Sequence, residues 1–356
     1  MNAGGRPQTP ADVRASSALE FARGMIGRVS RTFAIGISLL PGDLNRAVLV
    51  GYLLCRIADT VEDDGSLPAA RRQALLTRFL QAFDDRSVAG SFASEASDVR
   101  GAPEYRELIA GTEHVFAVFD SLPKRTGAIV ERWTRELTNG MNEFVGRYPG
   151  GIRIQTLDEY RRYCYYVAGT VGHLLTDLFS EHSRHIKPRD YDKMLVHAEA
   201  FGEALQTINI LKDIAWDFEH ENSAYIPEQL LRDRGSSHAT ILHRDWLLQN
   251  REALSSLVAL AREDLRRSLD YFNAIPKMAL TVRLFCLLPI LFAVATLREI
   301  ERSTAMLESG GGVKISRDEV RSLILAGSVS TISNTSTRWL VTTTARARFK
   351  FGLVRP

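Results

Sequence analysis

Three cysteines in 356 residues are too few to build a disulfide framework. Cys55, Cys164 and Cys286 lie in apolar helical patterns without CxxC spacing, which predicts reduced core thiols and a cytoplasmic, reducing compartment. The opening MNAGGRPQTPADVR lacks an apolar h-region, so no signal peptide is expected. No apolar run reaches the roughly 18–20 residues that span a bilayer. The nearest, LFCLLPILFAVATL at 284–297, predicts a buried core helix. Strand-period alternation is almost missing, which argues against a sheet-based fold. Net charge is only +3, and no nucleic-acid partner or obligate protein partner is expected. Acids stop at Glu319, whereas Arg321, Arg338, Arg346, Arg348, Lys350 and Arg355 follow. From Arg338 the chain mixes cations with Trp339, Phe349, Phe351 and Leu353. That composition suits peripheral contact with the anionic inner face of a membrane, and a frayed basic terminus has the same composition.

What is present is helix. With 45% hydrophobic and 24% charged residues, the chain has an ordinary globular balance. Helical periods predict elements near 12–27, from Ser30, after Pro41-Gly42-Asp43, and at 69–85, 104–120, 124–147 and 157–182. Others follow at 190–220, 242–273, 277–302 and 316–328. RSVAGSFASEASDVRGAP at 86–103 is rich in Ser, Ala and Gly and predicts a loop. The expected organisation is an all-α single domain over 12–337, its helices packed around a central cavity. A disordered 1–11 precedes it, and a basic-aromatic tail over 338–356 follows.

Two of these helices carry acids four residues apart: Asp59 and Asp63 in DTVEDD, Asp213 and Asp217 in NILKDIAWD. Positions i and i+4 share a helix face with side chains about 5–6 Å apart, so each pair repels itself. A hard divalent cation held by carboxylate oxygens is the natural counter-charge, and such a cation commonly binds a diphosphate. Tyr52 and Arg56 extend the first stripe, and Gln206 and Asn209 the second. Val48, Leu49, Leu53 and Leu54 oppose the first, and Ile208, Ile210, Leu211 and Ile214 the second. Polar faces on otherwise greasy helices read as a lined cavity. Acids that merely begin a loop after each helix are the plainer reading of either stripe alone.

A third stretch, YRRYCYYVAGTVGH at 160–173, places Tyr163, Tyr166, Thr170 and His173 on one α-helical face. Ala168, Gly169 and Gly172 would let another helix approach closely. Tyrosines here serve as core aromatics or, beside a cavity, stabilise positive charge through their rings. His173 alone reads as a satisfied core histidine.

With SRTF at 30–33, DTVEDD at 59–64, YCYYVAGTVG at 163–172 and LQTINILKDIAWD at 205–217, the chain resembles the squalene/phytoene synthase family of head-to-head prenyltransferases. The resemblance covers about 20–330 and implies the all-α isoprenoid synthase fold around a hydrophobic channel. It also implies Mg²⁺-dependent ionisation of a prenyl diphosphate, with Mn²⁺ as the alternative ion. By the same resemblance Asp59, Asp63, Asn209, Asp213 and Asp217 hold the metal. Ser30, Arg31, Phe33, Tyr52, Arg56, Gln206, Asn209, Lys212 and Tyr225 bind the substrate, farnesyl diphosphate. Tyr163 and Tyr166 match the tyrosine motif, and Tyr166 or the departed diphosphate would accept the proton.

RLFCLLPILFAVATL at 283–297 and VKISRDEV at 313–320 resemble the squalene synthase branch, where Lys314 and Arg317 would meet the 2′-phosphate of NADPH. Four departures stand out. Lys212 replaces an arginine, Trp216 an acid, and Ser223 an arginine of the loop before Pro227. The basic residue of VKISR is also displaced by one. The expected reaction joins two farnesyl diphosphates through presqualene diphosphate and reduces the product to squalene with NADPH. An enzyme stopping at presqualene diphosphate, or forming dehydrosqualene or phytoene without reductant, is the alternative. A noncatalytic assembly-factor homologue fits less well because all four aspartates remain, and a head-to-tail or cyclising terpene synthase because of YCYYVAGTVG.

Overall fold

The computed structural model describes residues 10–351. Residues 1–9, most of the segment expected to be disordered, lie outside the described residues. The first helix already runs from Pro10. No strand occurs among the described residues, only an isolated bridge between Arg153 and Ala224. The chain is one all-α domain, as the periodicity predicts.

Sixteen α-helices follow in order among the described residues. The first five are α1 (Pro10–Val29), α2 (Arg31–Ser38), α3 (Gly42–Glu62), α4 (Ala69–Gln81) and α5 (Arg86–Glu95). Then come α6 (Pro103–Ala110), α7 (Thr112–Asp120), α8 (Lys124–Arg147), α9 (Leu157–Cys164), α10 (Thr170–His182) and α11 (Pro188–His220). The last are α12 (Glu228–Arg232), α13 (Leu247–Ala274), α14 (Leu280–Arg302), α15 (Arg317–Ser330) and α16 (Asn334–Arg346). Helices α3, α8, α10, α11 and α14 surround the cavity described below.

Local chemistry explains most boundaries. The Ser30 side chain accepts from the Phe33 N–H and caps α2, and Ser316 caps α15 through the Glu319 N–H, each satisfying a donor that the first turn leaves free. Gly202 permits the closest helix contact: a Cβ there would sit 1.9 Å from the Ala168 carbonyl oxygen. Gly172 meets the Ala198 oxygen of α11 in the same way, so the glycines of 169–172 do admit another helix.

Four expectations are corrected. The loop expected over 86–103 is confined to 96–102, because residues 86–95 form α5: Asp85 caps it, and Val88, Ala89 and Phe92 bury its apolar face. The 104–120 pattern is two helices, broken at Gly111, where a side chain would collide with the Phe21 ring. The stretch expected to begin a loose tail instead forms α16, with Thr337, Leu340, Val341 and Thr344 buried at helical spacing. Finally, α14 is long and apolar enough to cross a bilayer by composition. However, 78% of its apolar window is buried inside the protein, as a core helix requires.

Candidate active site

Two connected spaces occupy the centre. The outer one, about 980 Å³, is walled by Asp59 and Asp63 from α3 and by Asp213 and Asp217 from α11. The inner one, about 160 Å³, is lined by Ile37, Val48, Leu137, Met141, Leu174 and Phe285 among others. Phe33, Tyr52, Arg56, Asp59, Leu205, Gln206 and Asn209 border both, so an acidic antechamber opens into an apolar one.

The acids sense one another across the antechamber. Burial pushes the Asp217 carboxyl up to about 8, and Asp213 and Asp59 add to the shift, Lys212 opposing it. Asp63 is raised well above the usual carboxylate range by burial, then by Glu221, Asp59 and Glu62, against Arg56. Glu62, which closes α3 and is 1% exposed, is raised to about 8 by burial and Asp59. Neither of its carboxylate oxygens has a hydrogen-bond partner. Glu221 rises to about 9 through burial, Asp217 and Asp59.

Cations answer only part of this charge. Arg56 pairs with Asp59, and its Nη2 lies 3.3 Å from the Tyr52 hydroxyl. Lys212 pairs with the neighbouring Asp213. A partly buried carboxylate cluster with too few cations fits a divalent metal, and Asp59, Glu62 and Asp63 each offer an oxygen within 4.8 Å of the others. The donor set is oxygen throughout, which suits Mg²⁺ or Mn²⁺ over softer ions.

Helix α11 bends at the site. Asp213 has non-helical backbone angles (φ −115°, ψ 16°). The segment before α15 crosses over this bend, with the Val313 N–H donating to the Lys212 carbonyl at 3.2 Å. That crossing brings Lys314 and Arg317 to the mouth, where neither makes an ion pair among the described residues.

Sixteen of the residues singled out from the sequence therefore wall the antechamber: Ser30, Arg31, Phe33, Tyr52, Arg56, Asp59, Asp63, Tyr163, Gln206, Asn209, Lys212, Asp213, Asp217, Tyr225, Lys314 and Arg317. Tyr163 stacks on Tyr225 with centroids 4.9 Å apart. Tyr166 does not join them. A π-helical turn over Tyr165–Gly169 adds a residue to the turn and rotates the positions C-terminal to it. Its ring packs against α8 at Gly140, where a Cβ would lie 2.1 Å from Tyr166 Cγ. Val167, Val171 and Leu174 face the inner chamber, and Thr170 and His173 do not line it. His173 stacks on Trp133 at 4.9 Å, and burial lowers its pKa against Glu199 and Asp177; it is partly buried, with Nδ1 unpartnered.

The chain matches the squalene/phytoene synthase family over residues 26–319. It belongs to that family. The squalene synthase of Schizosaccharomyces pombe is 27% identical over 307 residues, spanning 85% of this chain and 63% of the relative. Squalene synthase 1 of Arabidopsis thaliana is 28% identical over 279 residues, 78% of this chain and 64% of that protein. The chain thus spans less than two thirds of those curated relatives. Inactive squalene synthase 2 of A. thaliana is 32% identical over 199 residues, 56% of this chain and 44% of the relative. In solved structures the fold recurs in TcSQS bound to the ligand BPH1237, with TM-score 0.77, 23% identity and 93% and 98% of the two chains covered. A dehydrosqualene synthase in complex with a ligand matches at TM-score 0.58 and 19% identity, covering 94% and 98%.

Within this family fold, sequence reasoning overlooked three contributors. Glu62 sits inside the quoted DTVEDD but is no part of its i, i+4 pair. Glu221 continues the spacing of four from Asp213 and Asp217, a signal that was available. Tyr105 arrives from α6, its ring 5.7 Å from the Arg56 guanidinium, with no local signal at all. Trp216, where an acid was expected, is 54% exposed at the rim and stacks on His220. At Ser223 no cation replaces the expected arginine: the residue is buried, its hydroxyl donating to the Glu221 carbonyl at 3.3 Å.

Proposed function

We propose that the protein is a squalene synthase-type prenyltransferase. It would join two farnesyl diphosphates head to head through presqualene diphosphate and reduce the product to squalene. One observation carries the reading: the acidic faces of α3 and α11 wall a single chamber that continues into an apolar one. A molecule with an anionic head and a long hydrocarbon tail matches that sequence of environments.

Asp59, Asp63, Asn209, Asp213 and Asp217 would hold Mg²⁺, or Mn²⁺, which when bound neutralises the diphosphate and assists its departure. Arg31, Arg56 and Lys212 supply protein charge to the same phosphates, with Ser30, Tyr52 and Gln206 as hydrogen-bonding partners. Phe33 and the inner chamber hold the hydrocarbon and exclude water, so a cationic intermediate is not quenched to an alcohol. The stacked rings of Tyr163 and Tyr225 stabilise positive charge beside the reacting carbons. With Tyr166 off the wall, the released diphosphate is the better proton acceptor. Lys314 and Arg317 would meet the 2′-phosphate of NADPH, which when bound supplies the hydride of the reductive step.

A second reading has its own support. The displaced cation of VKISR weakens the NADPH contact of the squalene branch, and the Ser223 substitution loses one phosphate contact expected of the whole family. An enzyme that stops at presqualene diphosphate, or forms a dehydrosqualene or phytoene, tolerates the weaker NADPH contact. Incubation of purified protein with farnesyl diphosphate and Mg²⁺, with and without NADPH, decides between them by mass of the lipid. Squalene only with NADPH supports the first reading, and an unchanged product removes it. No lipid under any condition would favour a noncatalytic homologue. We place the protein in the cytoplasm, in peripheral contact with the inner face of the membrane.

A further inference from the structure

Arg56 is the cation that answers the first acid stripe, and hydrogen bonds alone hold it incompletely. Its guanidinium has N–H donors on three nitrogens. Nη1 meets Asp59, Nη2 lies 3.3 Å from the Tyr52 hydroxyl, and Nε is buried with no partner. Two rings cover what these bonds leave: the Tyr52 and Tyr105 centroids each lie 5.7 Å from Arg56 Cζ. An aromatic face within about 6 Å attracts a guanidinium through its quadrupole, the more so where water is excluded.

Tyr52 shares α3 with Arg56, one turn away, whereas Tyr105 has to be carried in by α6. Leu108 and Ile109, three and four residues on, are buried, so the face that α6 sinks into the core also carries Tyr105. Elsewhere on its surface α6 is tied to α1, where Arg28 Nη1 lies 2.6 Å from Glu107 Oε1. Tyr105 is partly buried and lines the antechamber with Arg56, Asp59 and Asp63. Its hydroxyl makes no hydrogen bond among the described residues, so the ring is the part that meets Arg56.

We propose that Tyr105 is a positioning residue of the diphosphate site, which acts through Arg56. Its ring holds the guanidinium at the antechamber wall, so that the Nη hydrogens not taken by Asp59 and Tyr52 stay free for phosphate oxygens. Without the ring Arg56 keeps its charge but gains rotamers and water, and both must be given up when a phosphate binds. The role rests on the diphosphate reading above and adds to it a residue from a helix that carries none of the acid stripes.

Titration calorimetry with inorganic pyrophosphate in saturating Mg²⁺ tests this without turnover. The unaltered chain should bind, Tyr105→Leu about five- to tenfold more weakly, and Tyr105→Phe within about twofold of the unaltered chain. Replacing Tyr105 by pentafluorophenylalanine keeps a ring in place but drains negative charge from its face. That replacement should weaken binding as Tyr105→Leu does, even if the leucine variant folds poorly. In an Arg56→Gln background Tyr105→Leu should cost nothing further, because the effect passes through Arg56. The proposal is overturned if Tyr105→Leu and the fluorinated ring bind like the unaltered chain, or if Tyr105→Phe falls as far as Tyr105→Leu. A loss that persists undiminished beside Arg56→Gln overturns it equally. Those results leave the prenyltransferase reading standing, whereas an unaltered chain that binds no pyrophosphate removes both.

Discussion

The proposed chemistry rests on carboxylates that the fold leaves under-compensated. Asp59→Asn and Asp213→Asn should each lower turnover with farnesyl diphosphate by at least about a hundredfold, with circular dichroism unchanged. Retained activity in both would remove these residues from the metal site. Burial raises Glu62 and Asp217 to about 8 from ordinary values of 4.5 and 3.8. Between those limits the folded chain holds protons that the unfolded chain has released, so stability falls as pH rises through that window. In EDTA, the melting temperature should therefore be lower at pH 8.5 than at pH 6. Mg²⁺ should recover more of it at the higher pH, where the carboxylates are charged. A melting temperature that rises with pH in EDTA would contradict this account. At this scale the sequence was informative where acids recur at a spacing of four, and uninformative for Tyr105, which only folding delivers to Arg56.

Helix approach decides which residues reach the cavity. Gly202 sits where α11 meets the Ala168 carbonyl, so Gly202→Ala forces the helices apart. A loss of about 1–3 kcal/mol is expected in denaturant unfolding, and an unaltered midpoint would show that the contact yields freely. The π-helical turn of Tyr165–Gly169 works in the same region. An α-helical wheel puts Tyr163 and Tyr166 together, but Tyr166 packs at Gly140, and Val167 and Val171 line the inner chamber. Long amphipathic helices were legible: α8 runs Lys124–Arg147, the limits that periodicity predicts. Helix α5 was not, because Ser and Gly obscured the apolar positions Val88, Ala89 and Phe92.

Across the whole molecule, the last acid of the chain ties its C-terminal helices together. Glu319 is 3% exposed and receives both terminal nitrogens of Arg298 at 2.8 Å. Arg298 Nη1 also donates to the carbonyls of Thr344 and Ala347, and the Phe349 N–H donates to Glu319. Glu319→Gln should cost about 1–3 kcal/mol by removing one of the two carboxylates on the buried Arg298, which keeps Glu299 at 2.8 Å, and limited proteolysis should then cut near α16. Resistance equal to that of the unaltered chain would show that apolar packing alone holds α16. Composition suggested a loose basic tail here, since Thr337 and Thr344 hide the apolar stripe that Leu340 and Val341 mark. The amino-acid order by itself determined the helical class, the family and the acid stripes, because these depend on residue type at short, regular separations. Only the tertiary structure decided that the stripes share one chamber, that Tyr166 leaves it and that the C-terminal residues pack as a helix. Those outcomes depend on contacts between segments far apart in the chain, which local periodicity does not encode.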